Sequence, residues 1–475
     1  MKIALTFIVL LLLTIASLAQ QPASTPQLYS AETIENMRKL QAAALASDYA
    51  YKKTAHLTNN IGPRLSGSQQ ILQAEKYVAD EMRKLALEVT LQPVKVPHWE
   101  RGKETGELVD FPGMASGTTQ KIVLAALGGS IATADTGLTA QIVVVVSMEE
   151  LNRLGEGGVK GKIVLFNSKF DRELAASGFG LQAYGQAVQF RGAGPAAAGK
   201  LGAVGVLVRS AGGSQNRLVH TGSTRYQEGV QPIPAASVST EDADLIAHLV
   251  SEGKTSIRMV LTPKMFADAV NHNVIADLKG SEKPNEIVIV SGHLDSWDLG
   301  TGALDDATGV AVSMQVLALL KELNIKPKRT IRLIAYANEE NGLRGGNGYL
   351  EAEKNNLANH FAAIESDLGA SHPVGILFAG KPELARYLEP ITAILRTHGT
   401  SMTRQEGGVG ADIGPLTQRS VPSFAPWFNT QTYFNYHHTA ADTLDKVNPR
   451  ELKELGSLMV VLAYGLANLE QPLPR

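Results

Sequence analysis

At 475 residues, 44% of them hydrophobic, the chain exceeds one ordinary domain and carries enough apolar side chain for a sizeable core. Its 44 Lys and Arg against 46 Asp and Glu leave a formal charge of −2, which excludes the basic excess of a typical nucleic-acid binder. It has no cysteine, which excludes disulfides, lipid-modified cysteine anchors and thiolate metal ligands, so any metal must be held by His, Asp and Glu.

The chain opens with Met1-Lys2, an apolar run over 3–14 and the small-x-small triplet Ser17-Leu18-Ala19. This is the pattern of a secretory signal peptide over residues 1–19, so the protein is expected to be exported, periplasmic or secreted after cleavage. The run falls short of the roughly 20 apolar residues that span a bilayer, and no later stretch reads as a span. Residues 20–27 are rich in Pro, Ser, Thr and Gln and read as a flexible lead. Stretches 31–45 and 70–87 space their apolar residues helically, with Ala74, Val78, Met82 and Leu85 on one side of the second. Between them, Asn60-Ile61-Gly62-Pro63-Arg64-Leu65-Ser66-Gly67-Ser68 is a turn ending in a serine cap. Residues 89–96 alternate as a strand does.

From about Lys121 the texture changes to short β-branched runs (141–147, 162–166, 203–208, 232–238) set in Gly- and Ala-rich sequence. Residues 127–268 read as a smaller β-rich domain inserted between a first catalytic segment, 20–126, and the main one, 269–475. This middle region is expected to hold none of the clustered acids and histidines found later. Gly194-Pro195-Ala196-Ala197-Ala198-Gly199-Lys200 has the spacing of a phosphate-binding loop, but Leu201 stands where Ser or Thr is needed and no strand leads cleanly in. It reads as the end of an Ala-rich helix.

From Met265 onward strands (273–278, 286–291, 330–336, 361–365, 374–378, 422–425) alternate with helices (310–323, 347–356, 382–397, 449–469). That alternation predicts an α/β fold with a mostly parallel-core mixed sheet flanked by helices. Ionisable residues gather where these strands stop, which is where open α/β sheets bind ligands. His293 and Asp295 follow the apolar run Ile287-Val288-Ile289-Val290 and can point to one side. Asp305 and Asp306 lie in a Gly-flanked loop. Glu339 and Glu340 end the next strand, and Asp367 the one after, with Glu365 sharing its face as a competing ligand. His437 and His438 precede the last helix. Two imidazoles and several carboxylates suit zinc. More than three carboxylates allow a second ion, with one carboxylate bridging and another free as general base. The expected chemistry is metal-dependent hydrolysis.

The segments His293-Leu294-Asp295-Ser296, Gly302-Ala303-Leu304-Asp305-Asp306-Ala307-Thr308-Gly309, Asn338-Glu339-Glu340-Asn341-Gly342-Leu343, Glu365-Ser366-Asp367 and His438-Thr439-Ala440-Ala441-Asp442-Thr443 resemble, in order, the co-catalytic zinc exopeptidases of peptidase family M28. The turn at 61–68 is similar to the family's N-terminal segment, and residues 197–208 to its protease-associated domain. The resemblance implies a zinc exopeptidase-like fold and two Zn2+ per chain. It further implies a dipeptidase or carboxypeptidase acting on dipeptides or short peptides, with an aminopeptidase as the alternative.

By the same resemblance Asp305 bridges both ions, His293 and Asp367 complete one, and Glu340 and His438 complete the other. Glu339 is the general base, Asp295 orients the His293 imidazole, and Asp306 shapes its loop. His437, where several relatives have tyrosine, would donate to the tetrahedral oxyanion, residues 408–412 would border the substrate, and a homodimer is implied. Two competing readings are a non-catalytic relative that has lost its ligands and a single-zinc, glutaminyl cyclase-like acyltransferase. The intact ligand set argues against the first and the inserted domain against the second.

Overall fold

The computed structural model describes residues 28–475; the signal peptide and flexible lead read in residues 1–27 lie outside the described residues. Ile287-Val288-Ile289-Val290 has no polar alternation, so its strand is stable only with both faces covered. The fold places it in the middle of an eight-stranded sheet. In chain order the strands are β1 (Glu88–Val96), β2 (Ala269–Leu278), β3 (Lys283–His293), β4 (Arg329–Tyr336), β5 (His360–Glu365), β6 (Pro373–Ala379), β7 (Met402–Gln405) and β8 (Ser423–Phe428). They lie in the order β1-β2-β4-β3-β5-β8-β6-β7. The central four, β4, β3, β5 and β8, are mutually parallel, while β1, β2 and β6 run antiparallel to their inner neighbours. The expected mixed sheet with a parallel core is therefore what forms. Strand β7 was not foreseen, because it is a short, polar, partly exposed edge strand with no apolar pattern.

Among the helices are α1 (Ala31–Ala46), α2 (Gln69–Lys84), α3 (Gly180–Lys200), α4 (Thr308–Glu322), α5 (Arg344–Glu353), α6 (Ala385–Leu395) and α7 (Pro449–Ala467). Serine caps open the first two: Ser30 Oγ accepts the Thr33 amide at 3.1 Å and Ser68 Oγ that of Ile71 at 3.2 Å. Helix α4 is apolar around its whole circumference, and every residue from Thr308 to Leu320 is buried. The stretch Ala303–Glu322 is long and apolar enough to cross a membrane, but its apolar part is wholly buried inside the protein and only Lys321 and Glu322 at its end are exposed. It is a core helix, packed between the sheet and α7.

A second eight-stranded sheet is built from residues 104–261, in the order Gln120–Ile122, Glu104–Asp110, Ser256–Leu261, Leu138–Val145, Ile163–Phe166, Gly205–Arg209, Ala235–Val238, Leu124–Ala126. It has its own core around Leu165, Leu207, Ile257 and Met259. Helices Met148–Val159, α3 and Thr240–Glu252 accompany it, so the region is α/β where the sequence suggested mainly strands. Only the end of the 21-residue α3 is legible in the sequence, because the rest of its Ala- and Gly-rich stretch has no amphipathic stripe. The phosphate-loop-like segment is the helical end of α3. Trp297, in the loop after β3, is buried in the core of this second sheet and joins the two units.

Candidate metal centre

The expected residues sit where the parallel strands end. His293 is the last residue of β3. After β4 the chain turns through Asn338, φ +64°, into Glu339 and Glu340. Asp367 lies two residues beyond β5. Asp305 and Asp306, joined by a cis peptide, lie between Gly302 and α4. His437 and His438 follow a single turn, Tyr433–Asn435. His438 has φ +59°, a left-handed backbone that a non-glycine residue adopts only when its surroundings impose it.

The Asp305 carboxylate stands at the middle. One of its oxygens is 2.9 Å from His293 Nε2, and the other is 3.1 Å from His438 Nε2 and 3.2 Å from His437 Nε2. His293 Nε2 is also 3.2 Å from Asp367 Oδ1, and His438 Nε2 is 2.9 Å from Glu340 Oε2. The fold thus brings His293, Asp305, Glu340, Asp367 and His438 to one place. Glu339 lines the same cleft, a space of about 1300 Å³ between the sheet end and α3.

His293, Asp305, Glu340 and His438 are buried, with Glu339 and Asp367 half-buried at the cleft, and their charges respond. Burial pushes the Glu339 carboxyl well above the usual carboxylate range, and Asp367, Glu340 and Asp305 push it further. Burial and Asp305 raise Glu340 to about 6. Burial opposes charge on His293, but Asp367 and Asp305 outweigh it and hold the imidazole well above its ordinary range. Four carboxyls in one enclosed space call for cations. The donor set is imidazole nitrogen and carboxylate oxygen alone, which is what zinc takes in a cysteine-free chain. Asp305 Oδ2 and Glu340 Oε1 are buried without a hydrogen-bond donor among the described residues. The 2.9–3.2 Å separations are a few tenths of an ångström below the roughly 3.3–3.6 Å kept by two ligands on one tetrahedral zinc. The residues fit a metal.

Supporting contacts correct one expectation. The His293 ring is fixed through Nδ1 by the main-chain carbonyl of Asp295, at 2.9 Å, while the Asp295 carboxylate stands 3.9 Å away. That carboxylate instead accepts the amides of Glu339 (3.0 Å) and Glu340 (3.3 Å) and the hydroxyl of Ser66 (3.2 Å). The Asp295 side chain thus reaches across the sheet end to the residues that follow β4. Asp306 accepts the amides of His293 and Gly309, bracing its loop. Glu365 accepts three amides from Ala411, Asp412 and Ile413, which occupy its carboxylate. Residues 410–413 thus wrap Glu365.

The middle region also reaches the centre, contrary to expectation. His220, fully buried, stacks on His438 at 5.1 Å. Tyr184 of α3 stacks on Phe434 at 4.6 Å and meets His437 edge-on at 5.0 Å. Arg191 Nη1 lies 2.9 Å from the Tyr184 hydroxyl and 3.1 Å from the Thr221 carbonyl. A lone histidine in Leu218-Val219-His220-Thr221 offers no spacing that would have marked it.

Comparison with known proteins agrees with this geometry. Residues 273–463 match peptidase family M28. Carboxypeptidase Q from Bos taurus is 35% identical over 432 residues, covering 90% of this chain and 88% of that protein. The crystal structure of a peptidase M28 precursor from Shewanella amazonensis SB2B, 35% identical, superposes with a TM-score of 0.86 over 94% of this chain and 99% of that one. Aminopeptidase YwaD from Bacillus subtilis (strain 168) is 24% identical and covers 99% of this chain and 95% of its own.

Proposed function

The chain belongs to peptidase family M28, and from that membership we propose that it is an exported, zinc-dependent exopeptidase holding two Zn2+ and hydrolysing dipeptides or short peptides. The observation that carries the two-ion reading is the Asp305 carboxylate, with His293 at one oxygen and His438 at the other. Asp305 would bridge, His293 and Asp367 would complete one ion, and Glu340 and His438 the other. Similarity to carboxypeptidase Q along most of the chain supports a dipeptidase or carboxypeptidase over an aminopeptidase. The second sheet is read as the family's protease-associated insertion, and residues 1–19 as the export signal. A homodimer follows from the same kinship.

When bound, the zinc pair supplies Lewis acidity that polarises the scissile carbonyl and eases deprotonation of water. Glu339, left outside the ligand set, takes the proton from the attacking water and returns it to the leaving amine. Its burial among other carboxyls raises its proton affinity, which suits a group that must hold a proton between two steps. His437 lines the cleft with Glu339 and stands 3.2 Å from Asp305, a place from which an imidazole N–H would donate to the oxyanion. The Asp295 carboxylate, by holding the amides of Glu339 and Glu340, fixes the base relative to the second half of the ligand set.

The test combines metal analysis with a substrate panel of free dipeptides, N-blocked peptides and aminoacyl anilides. Two zinc equivalents per chain and cleavage of dipeptides are expected. Cleavage of N-blocked peptides would exclude the aminopeptidase, whereas turnover confined to aminoacyl anilides would establish it.

A further inference from the structure

Residues 210–224 leave the second sheet at the end of strand Gly205–Arg209 and run to the metal centre. Their root is firm. The Ser210 amide and hydroxyl both donate to the Val238 carbonyl at 2.9 Å, and Ser210 Oγ accepts the His220 amide at 3.0 Å. At the far end, Gly128 donates to the Gly222 carbonyl at 2.9 Å and accepts the Thr224 amide at 2.8 Å. The segment is therefore fixed to the second sheet at both ends.

Its tip grips one half of the ligand set. The Thr221 amide donates to the His438 carbonyl at 2.9 Å, and the His438 Nδ1 lies 3.2 Å from the Thr221 carbonyl. With Nε2 turned toward Asp305 and Glu340, Nδ1 faces the Thr221 carbonyl, which also takes a bond from Arg191 Nη1, itself 3.2 Å from Nδ1, so the ring is held between the two. Ser223 Oγ donates to the main-chain carbonyl of Glu340 at 3.0 Å. The Gly213 amide donates to the Phe434 carbonyl at 2.9 Å, four residues before His438. These bonds hold His438 in its left-handed backbone.

Among the described residues no hydrogen bond joins this segment to His293 or Asp367. His293 is set by the Asp295 carbonyl and the Asp306 carboxylate. Asp367 follows a residue, Ser366, whose amide donates to the Ser291 carbonyl of β3 at 3.0 Å.

We propose that residues 210–224 are a positioning clamp for the His438–Glu340 half, so that the second sheet controls the grip on one zinc and not the other. This rests on the two-ion reading above. Thr221 and Ser223 act through the ligands and touch no reacting atom. A change in how the second sheet seats on the main one would loosen His438 and Glu340 first.

The test uses the full-length, zinc-loaded protein and three variants. Thr221→Pro removes the amide bond to His438, Ser223→Ala removes the hydroxyl bond to Glu340, and Thr221→Ala keeps both main-chain bonds while losing only the side chain. Zinc per chain is measured by elemental analysis after equilibration with graded concentrations of a chelator, and circular dichroism checks the fold. Thr221→Pro and Ser223→Ala should release one equivalent at roughly 10–100-fold lower chelator activity than wild type, the cost usual for an outer contact to a ligand. The second equivalent and the Thr221→Ala protein should behave as wild type. Equal loosening of both equivalents, no loosening, or the same loss in Thr221→Ala overturns the clamp; if Thr221→Pro does not fold, Ser223→Ala decides alone. A wild type that holds only one equivalent refutes the two-ion reading itself, and the clamp with it.

Discussion

Asp442 accepts the amide of Asp305 at 3.2 Å, together with those of Ala303 at 3.0 Å and Leu304 at 2.7 Å. The motif that carries His438 therefore also holds the loop of the central carboxylate, and the two sides of the site are built as one piece. Asp442→Ala strands three buried amides, at about 1–3 kcal/mol each. The expected loss is on the order of 3 kcal/mol in urea unfolding, with both zinc equivalents released more readily because Asp305 serves both. Asp442→Asn, which keeps an acceptor for at least part of the set, should lie between. A variant as stable and as zinc-retentive as wild type would show that the loop holds itself.

Glu339→Gln keeps the volume of the proposed base but removes its ability to take a proton. Turnover of a dipeptide should fall by roughly 10²–10⁴-fold, the usual contribution of a positioned general base. Zinc content should stay at the wild-type value, because Glu339 lies outside the proposed ligand set. Zinc loss in this variant would move Glu339 into that set and leave the base unidentified.

The main sheet and the gathering of acids were legible because each depends on side-chain pattern. Ile287-Val288-Ile289-Val290 could only be an inner strand, and the helix over 310–323 was legible as a helix, although its burial on every side appears only in the fold. Residues immediately after parallel strands converge by topology, which is why the pattern gathers His293, the Glu339–Glu340 pair and Asp367, while the choice of Glu340 and Asp367 as ligands comes only with the family resemblance. What stayed hidden works through main-chain atoms. Nothing in the letters distinguishes the carbonyl of Asp295, which sets His293, from its carboxylate, which sets Glu339 and Glu340. The Thr221 amide and carbonyl have no residue signature at all.

Arg64 is fully buried and directs its guanidinium at five carbonyls, those of Leu57, Gly62, Leu294, Thr301 and Gly302, at 2.7–3.3 Å. Burial lowers its pKa to about 10, with Asp442 and Asp295 opposing the fall, so it remains charged at neutral pH. It ties the N-terminal turn to the loop that precedes Asp305. Arg64→Met leaves those acceptors unpaired and should cost on the order of 3–5 kcal/mol in chemical denaturation. Arg64→Lys keeps the charge without the fork and should recover only part of it. Full recovery by lysine would mean that charge, and not geometry, is what the site requires.

His360, at the start of β5, is held in one neutral tautomer. Its Nδ1 is 3.2 Å from the Asn356 carbonyl, to which it donates, and its Nε2 accepts from the Tyr349 hydroxyl at 2.8 Å. Tyr349 also takes a bond from Arg332 at 3.0 Å, so a second proton on His360 would face a hydroxyl already committed as donor and a nearby cation. Burial, with Arg332 and Arg475 adding to it, lowers the His360 pKa below its ordinary value. The unfolded chain takes up this proton near pH 6.5, while the folded one refuses it until lower pH. Stability is thus undiminished above about pH 6.5 and falls as pH drops below it. His360→Gln, which can still accept from Tyr349, removes this titration. Urea midpoints measured at pH 7.5 and 5.5 should fall less for the variant than for wild type, and identical falls would mean that His360 is protonated as easily in the fold as out of it.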